Sequence, residues 1–194
     1  MATLVVLRRI MITQSLQEVS MRLAFIVMCL SLAGCLGAPE GVEPVNDFQL
    51  DRYLGRWYEV ARLDHSFERG LDHVVAEYSL REDGGVRVIN SGRSKKTGEV
   101  NEAEGRAYFV EGEDRGYLKV SFFGPFFGSY IIFDLDLEDY QYAFVAGNNT
   151  DYLWLLARTP QVSVEIMQRF LDQSEALGFD TQALIYVRQS GGVQ

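Results

Sequence analysis

Beyond Asp47, apolar and polar residues alternate with a period of two in short runs separated by Gly, Asp and Asn. That period puts successive side chains on opposite faces of a strand, one buried and one solvated. Eight runs read as strands, near residues 56–63, 74–81, 86–93, 102–110, 117–122, 130–137, 142–146 and 152–158. Asp83-Gly84-Gly85 reads as a tight hairpin turn, and residues 95–98, 111–116 and 147–150 as further turns. Many short strands at regular spacing indicate an all-β barrel or sandwich. The period then changes. Ile166, Met167, Phe170, Leu171, Ser174 and Leu177 recur at helical spacing, with Ser163 as N-cap and Gly178 as stop. Residues 183–188 read as a short extra strand.

Three stretches far apart in the chain fit one site: Gly55-Arg56-Trp57-Tyr58, Thr150-Asp151-Tyr152 and Arg158. A guanidinium can stack on an indole while its donors bond backbone carbonyls, so Trp57 and Arg158 together would close one end of a barrel. In order, and followed by a helix, these stretches resemble the three signature motifs of the lipocalin family. Longer runs carry the likeness further: 52–62 around Trp57, Phe67-Glu68-Arg69-Gly70-Leu71, 120–126, and Asp151-Tyr152-Leu153-Trp154. Within the family they are most similar to the lipid-anchored bacterial branch, related to apolipoprotein D. The resemblance implies an eight-stranded antiparallel up-and-down β-barrel with the C-terminal helix packed outside, over residues 47–190.

Strand direction and parity then assign places. The loops after the first, third, fifth and seventh strands fall at an open mouth, and the others at the closed end. With Trp57 inward, Glu59 and Ala61 should also face inward; with Arg158 inward, so should Leu156, Trp154 and Tyr152. Tyr130 opens a strand at the mouth. Glu59, Ala61, Tyr130, Trp154 and Leu156 are therefore the candidate cavity residues. The aromatics could instead fill a solid core. A carboxylate inside a barrel is costly unless paired or protonated. Glu59 is better read as paired to a basic or hydroxyl group than as a guide for a ligand headgroup. The mouth loop holding Phe123, Phe126 and Phe127 is unusually aromatic. It could gate the mouth, touch a membrane or second subunit, or fold inward as a plug.

The N-terminus adds an address. Arg22 precedes an apolar run, residues 23–32, too short to span a bilayer. Leu32-Ala33-Gly34-Cys35 follows and resembles a bacterial lipobox, which implies cleavage before Cys35 and lipid on its thiol. Residues 1–34 are thus expected as a leader, with Met21 as the true start, and 35–46 as a lipidated tether. Only two cysteines occur, Cys29 and Cys35, so the mature chain could form no internal disulfide. Residue 36 is Leu rather than Asp, which by analogy with bacterial sorting favours the outer membrane, facing the periplasm.

Net charge is −9 and the basic residues are scattered, which argues against nucleic-acid binding. His65 and His73 are the only histidines, both expected in the first mouth loop, and no Cys/His/acid cluster has metal spacing. No haem mode, thiol-dependent prostaglandin chemistry or cofactor is expected. The reading is a non-enzymatic carrier that stores or transports a fatty acid or lysophospholipid in the bacterial envelope, with a homodimer left open. The alternatives are an envelope assembly protein with a filled barrel, and an enzyme on bound lipid using Glu59.

Overall fold

The computed structural model describes residues 36–189. The leader over 1–34, the start at Met21, Cys35 itself and the domain end at 190 lie outside the described residues. A short helix α1 (Leu50–Tyr53) precedes eight strands: β1 (Gly55–Arg62), β2 (Leu71–Leu80), β3 (Val86–Ser94), β4 (Val100–Phe109), β5 (Tyr117–Ser121), β6 (Gly128–Leu135), β7 (Tyr142–Ala146) and β8 (Leu153–Ala157). Helix α2 (Val164–Ala176), a 3-10 turn (Thr181–Ala183) and strand β9 (Ile185–Tyr186) complete the chain. Each strand pairs antiparallel with the next, and β1 pairs with both β2 and β8, so the sheet closes into a barrel without a free edge between them. β9 adds to β1 through Ala61 and Arg62. The eight-stranded barrel with an outer C-terminal helix is the architecture expected from the strand pattern and the family likeness.

Alternation divides each strand between two cores. In β7, Ala143 and Val145 face the barrel interior with Trp57, Tyr78, Val88 and Leu118. Phe144 and Ala146 face outward with Leu153, Leu155 and Phe170 of α2. The helix forms where expected: the Ser163 hydroxyl accepts from the Ile166 N–H. Phe170 is fully buried edge-on to Phe144, with ring centroids 5.0 Å apart, and burial of such a ring is worth roughly 1.5–3 kcal/mol. Arg169 and Gln173 both reach Asp134 Oδ2 at 2.7 Å, which fixes the helix along β6.

Two expectations fail here. The first concerns parity in β1. Glu59 pairs with Leu156, but Ala61 pairs with Leu155, so Val60 is an extra residue in the strand. This β-bulge exchanges the faces beyond it. Ala61 does not line the cavity; with Val60 it packs in the outer core. Arg62, which simple alternation points outward, is instead wholly buried.

The second concerns residues 36–46. They are not a free tether within the described residues but a strap laid along the barrel. Gly37 N donates to Ser129 Oγ at 3.0 Å. Val42 is buried in the outer core. Val45 N donates to Ile132 O and its carbonyl accepts from Gly116 N, both at 2.9 Å, which stitches the strap to β5 and β6. Phe48 then enters the base of the barrel.

Candidate ligand cavity

The closed end comes first, because it fixes how deep a ligand can go. Arg158 lies over the Trp57 ring with its guanidinium carbon 4.0 Å from the centroid. Its Nη1 and Nη2 donate to the carbonyls of Arg56 and Arg52 at 2.8 and 2.6 Å, and its Nε to that of Tyr140 at 3.3 Å. The Trp57 indole donates to Tyr53 O at 2.7 Å. Trp57, Arg158 and the α1 backbone therefore form a floor. Gly55 adopts φ +89° at its edge, a left-handed conformation that favours glycine. Thr150, Asp151 and Tyr152 do not join this floor. They belong to the β7–β8 loop at the opposite end, so the three signature stretches do not make one site.

Above the floor is an inner chamber of about 80 Å³. Leu156, Tyr78, Val86, Val88, Ala107 and Leu118 line it, and Tyr130 spans it. The Tyr130 hydroxyl is 2.7 Å from that of Tyr53 and 2.8 Å from that of Tyr78. Burial raises all three phenols, so the triad stays neutral and satisfies itself. What it offers a ligand is mostly ring surface.

Higher on the wall is a buried polar cluster. Glu59 accepts from Arg62 Nη1 at 2.7 Å, and Arg62 Nη2 donates to Glu68 O at 2.9 Å. The Trp154 indole reaches Glu68 Oε2 at 3.3 Å. His65 Nε2 is 3.0 Å from the same oxygen, a contact short of a well-aligned hydrogen bond. Burial raises the Glu59 carboxyl well above its ordinary range and the neighbouring Glu68 pushes it further, although Arg62 opposes both. Burial would also raise Glu68, but His65, the Trp154 indole and Glu59 outweigh it and hold Glu68 low. Arg62 Nε is buried without a hydrogen-bond partner.

The chamber opens into a wider vestibule of about 740 Å³, walled by the β1–β2, β5–β6 and β7–β8 loops and by the mouth ends of β3 and β4. An aromatic ladder climbs one side: Trp154 and Tyr152 with centroids 6.1 Å apart, and His65 stacked on Phe67 at 3.9 Å. Gly147 makes room for it, since a Cβ there would lie 2.6 Å from Tyr152 Cβ. In the β5–β6 loop, Phe122 turns down to the cavity and Phe127 packs against Tyr108 under Arg106 and Lys119. Phe123 and Phe126 stay 77% and 80% exposed.

Of the candidate residues, Glu59, Tyr130, Trp154 and Leu156 border the inner chamber; Phe123, Phe126, Phe127 and Tyr152 border the vestibule. Tyr58 is half-buried beside Arg56, with no place in either space. Arg62, His65, Glu68 and Phe67 escaped sequence reasoning. His65 and Glu68 belong to a loop that folds its side chains inward. His73, expected in a loop, lies in β2 at an irregular register and pairs with Asp72 at 2.7 Å.

Residues 48–189 match the family model of the lipocalin-like domain. The outer membrane lipoprotein Blc of Vibrio cholerae is 62% identical over 170 residues, which cover 87% of this chain and 99% of that protein. The Escherichia coli K12 protein of the same name is 52% identical over 153 residues, 79% of this chain and 86% of its own. The structure of insecticyanin from the tobacco hornworm Manduca sexta superposes with a TM-score of 0.64 at 22% identity, over 80% of this chain and 88% of that one, and shows the fold alone. At this similarity to proteins so named, the chain is a lipid-anchored outer-membrane protein. Its closed barrel, its Trp57–Arg158 floor and the matched domain together make it a member of the lipocalin family.

Proposed function

We propose that this protein stores or transports a fatty acid or lysophospholipid, held by its acyl chain inside the barrel. The membrane attachment is the lipid on Cys35. The observation that carries this reading is the continuity of the two spaces. Phe67, Val74, Val120, Phe122 and Trp154 border both the narrow apolar chamber and the open vestibule, so a chain can enter from the mouth while its head stays near the rim.

The magnitudes fit. Ten acyl methylenes leaving water contribute about 8 kcal/mol at about 0.8 each, close to a micromolar affinity before association costs. Headgroup contacts need only choose among lipids. The cluster around Glu59, Arg62 and Glu68 lies where a head or its first carbons would pass, and Arg62 Nε and the two His65 ring nitrogens are its buried atoms without a hydrogen bond. The cluster is otherwise bonded to itself, which favours a structural and positioning role for Glu59 over acid–base catalysis.

The test is a fluorescence titration of a soluble form starting after Cys35, with lysophosphatidylethanolamine and with palmitate. Trp57 and Trp154 are the only tryptophans. A saturable change in the Trp154 emission, lost in Trp154→Phe while that variant still binds by calorimetry, supports the reading. A folded protein that responds to neither lipid contradicts it.

A further inference from the structure

The strap ends at the mouth, and that determines which way the barrel faces its membrane. Gly37 is bonded to Ser129 at the start of β6, directly beside the β5–β6 loop. Val42 and Val45 hold the strap to the wall from there to the base. Cys35 is two residues from Gly37, so it cannot be more than about 7 Å away along the chain. Whatever lipid Cys35 carries must therefore enter its bilayer close to the rim. Among the described residues the exposed large apolar groups at that rim are Phe123, Phe126, Val100 and Phe67, with Leu36 next to Gly37, and Phe123 and Phe126 are the most exposed of them, at 77% and 80%.

Charge points the same way. The three closed-end loops, 81–85, 110–116 and 136–141, carry eight acids against two arginines, whereas the four mouth loops carry four acids against three basic residues. A bilayer containing anionic lipid repels the first end, at net −6, far more than the second, at net −1. Lys95 and Lys96 are exposed on the mouth side.

We propose that the barrel stands mouth-down on the lipid surface, with the strap acting as a spacer that fixes the anchor at the rim and Phe123 and Phe126 entering the interface. This rests on Cys35 as the lipid anchor and deepens the function above. A lipid leaving the bilayer surface would pass into the vestibule without crossing bulk water, and the acidic base would point away.

The test uses the full-length lipidated protein in vesicles of phosphatidylethanolamine and phosphatidylglycerol containing a doxyl-labelled lipid. Once the leader is removed and Cys35 is acylated, an introduced cysteine is the sole free thiol. A fluorophore is attached at Phe126→Cys or, at the exposed closed end, at Glu113→Cys. The expected result is quenching several-fold stronger at 126 than at 113. Inserting about twelve Gly and Ser residues after Leu36, with a mean reach of about 20 Å, should lower quenching at 126 several-fold while the protein still floats with the vesicles. Equal quenching at both positions, or quenching at 126 that ignores the insert, overturns the orientation and leaves the anchor intact. Protein that does not float with the vesicles overturns the orientation together with the Cys35 anchor. Neither failure touches lipid binding by the soluble form, which the fluorescence titration tests by itself.

Discussion

Arg62 Nη1 stands 2.7 Å from Glu59 Oε1 inside the barrel wall, and the two residues meet there because Val60 is an extra residue in β1. Without the bulge Arg62 would point away from Glu59. The bulge thus converts an isolated carboxyl in an apolar wall into a paired one, and Glu68 closes the group from the mouth loop.

Removing one partner should cost far more than removing both. Arg62→Met leaves Glu59 and Glu68 without their cation and is expected to lower stability by about 3–5 kcal/mol. Adding Glu68→Gln to Arg62→Met removes the carboxylate that is held ionised and should restore most of that loss. Urea unfolding of the two single variants and the double variant measures the coupling.

The Glu59 carboxyl is raised in the folded state, so between the unfolded and folded values the native protein binds the extra proton. Stability then falls as pH rises above about 4.3, the ordinary glutamate value. Glu59→Gln removes that slope. Across pH 5 to 8 the stability of the native protein relative to the Gln variant should decline, as read by denaturant midpoints at each pH. A constant difference would show that Glu59 is not the proton-bearing carboxyl.

Arg158 combines a stacked ring with three carbonyl acceptors. Arg158→Lys keeps the charge but not the planar fork. Both Arg158→Lys and Arg158→Ala should cost about 2 kcal/mol and reduce the near-ultraviolet circular dichroism of Trp57. A Lys variant as stable as the native protein would mean that the charge alone matters.

Gly147→Ala tests the ladder at the mouth. The new Cβ must displace Tyr152, and backbone or ring shifts of that kind cost about 1–3 kcal/mol. Lysophospholipid binding should weaken several-fold because Tyr152 and Trp154 move together. Unchanged affinity with reduced stability would exclude the ladder from the site.

Most of the architecture was legible because it rests on period and punctuation. Ala143 through Ala146 alternate cleanly, Ser163 caps its helix, and Phe170 marks the helix face. The site was only half legible. Trp154 and Leu156 follow from parity, which holds in β8 as far as those residues, and Tyr130 follows from its place at the start of a strand, although its hydroxyl meets Tyr53 and Tyr78 in the inner chamber rather than lining the mouth. Parity fails at Val60, since a bulge is set by pairing with β8 and leaves no mark on β1 itself, and Ala61 and Arg62 were lost together. His65 and Glu68 were lost because a loop has no period to read. The strap was misread because Pro, Gly and Glu dominate it; the spacing of Val42, Val45 and Phe48 was the signal that it is packed.

Burial of an acyl chain is the central claim, and calorimetry tests it most directly. The soluble form would be titrated with lysophosphatidylethanolamine at several temperatures. A chain that enters the chamber gives one saturable site with a negative heat-capacity change, the mark of apolar surface leaving water. Saturable binding with no heat-capacity change would confine the lipid to the rim and contradict a chain-filled barrel.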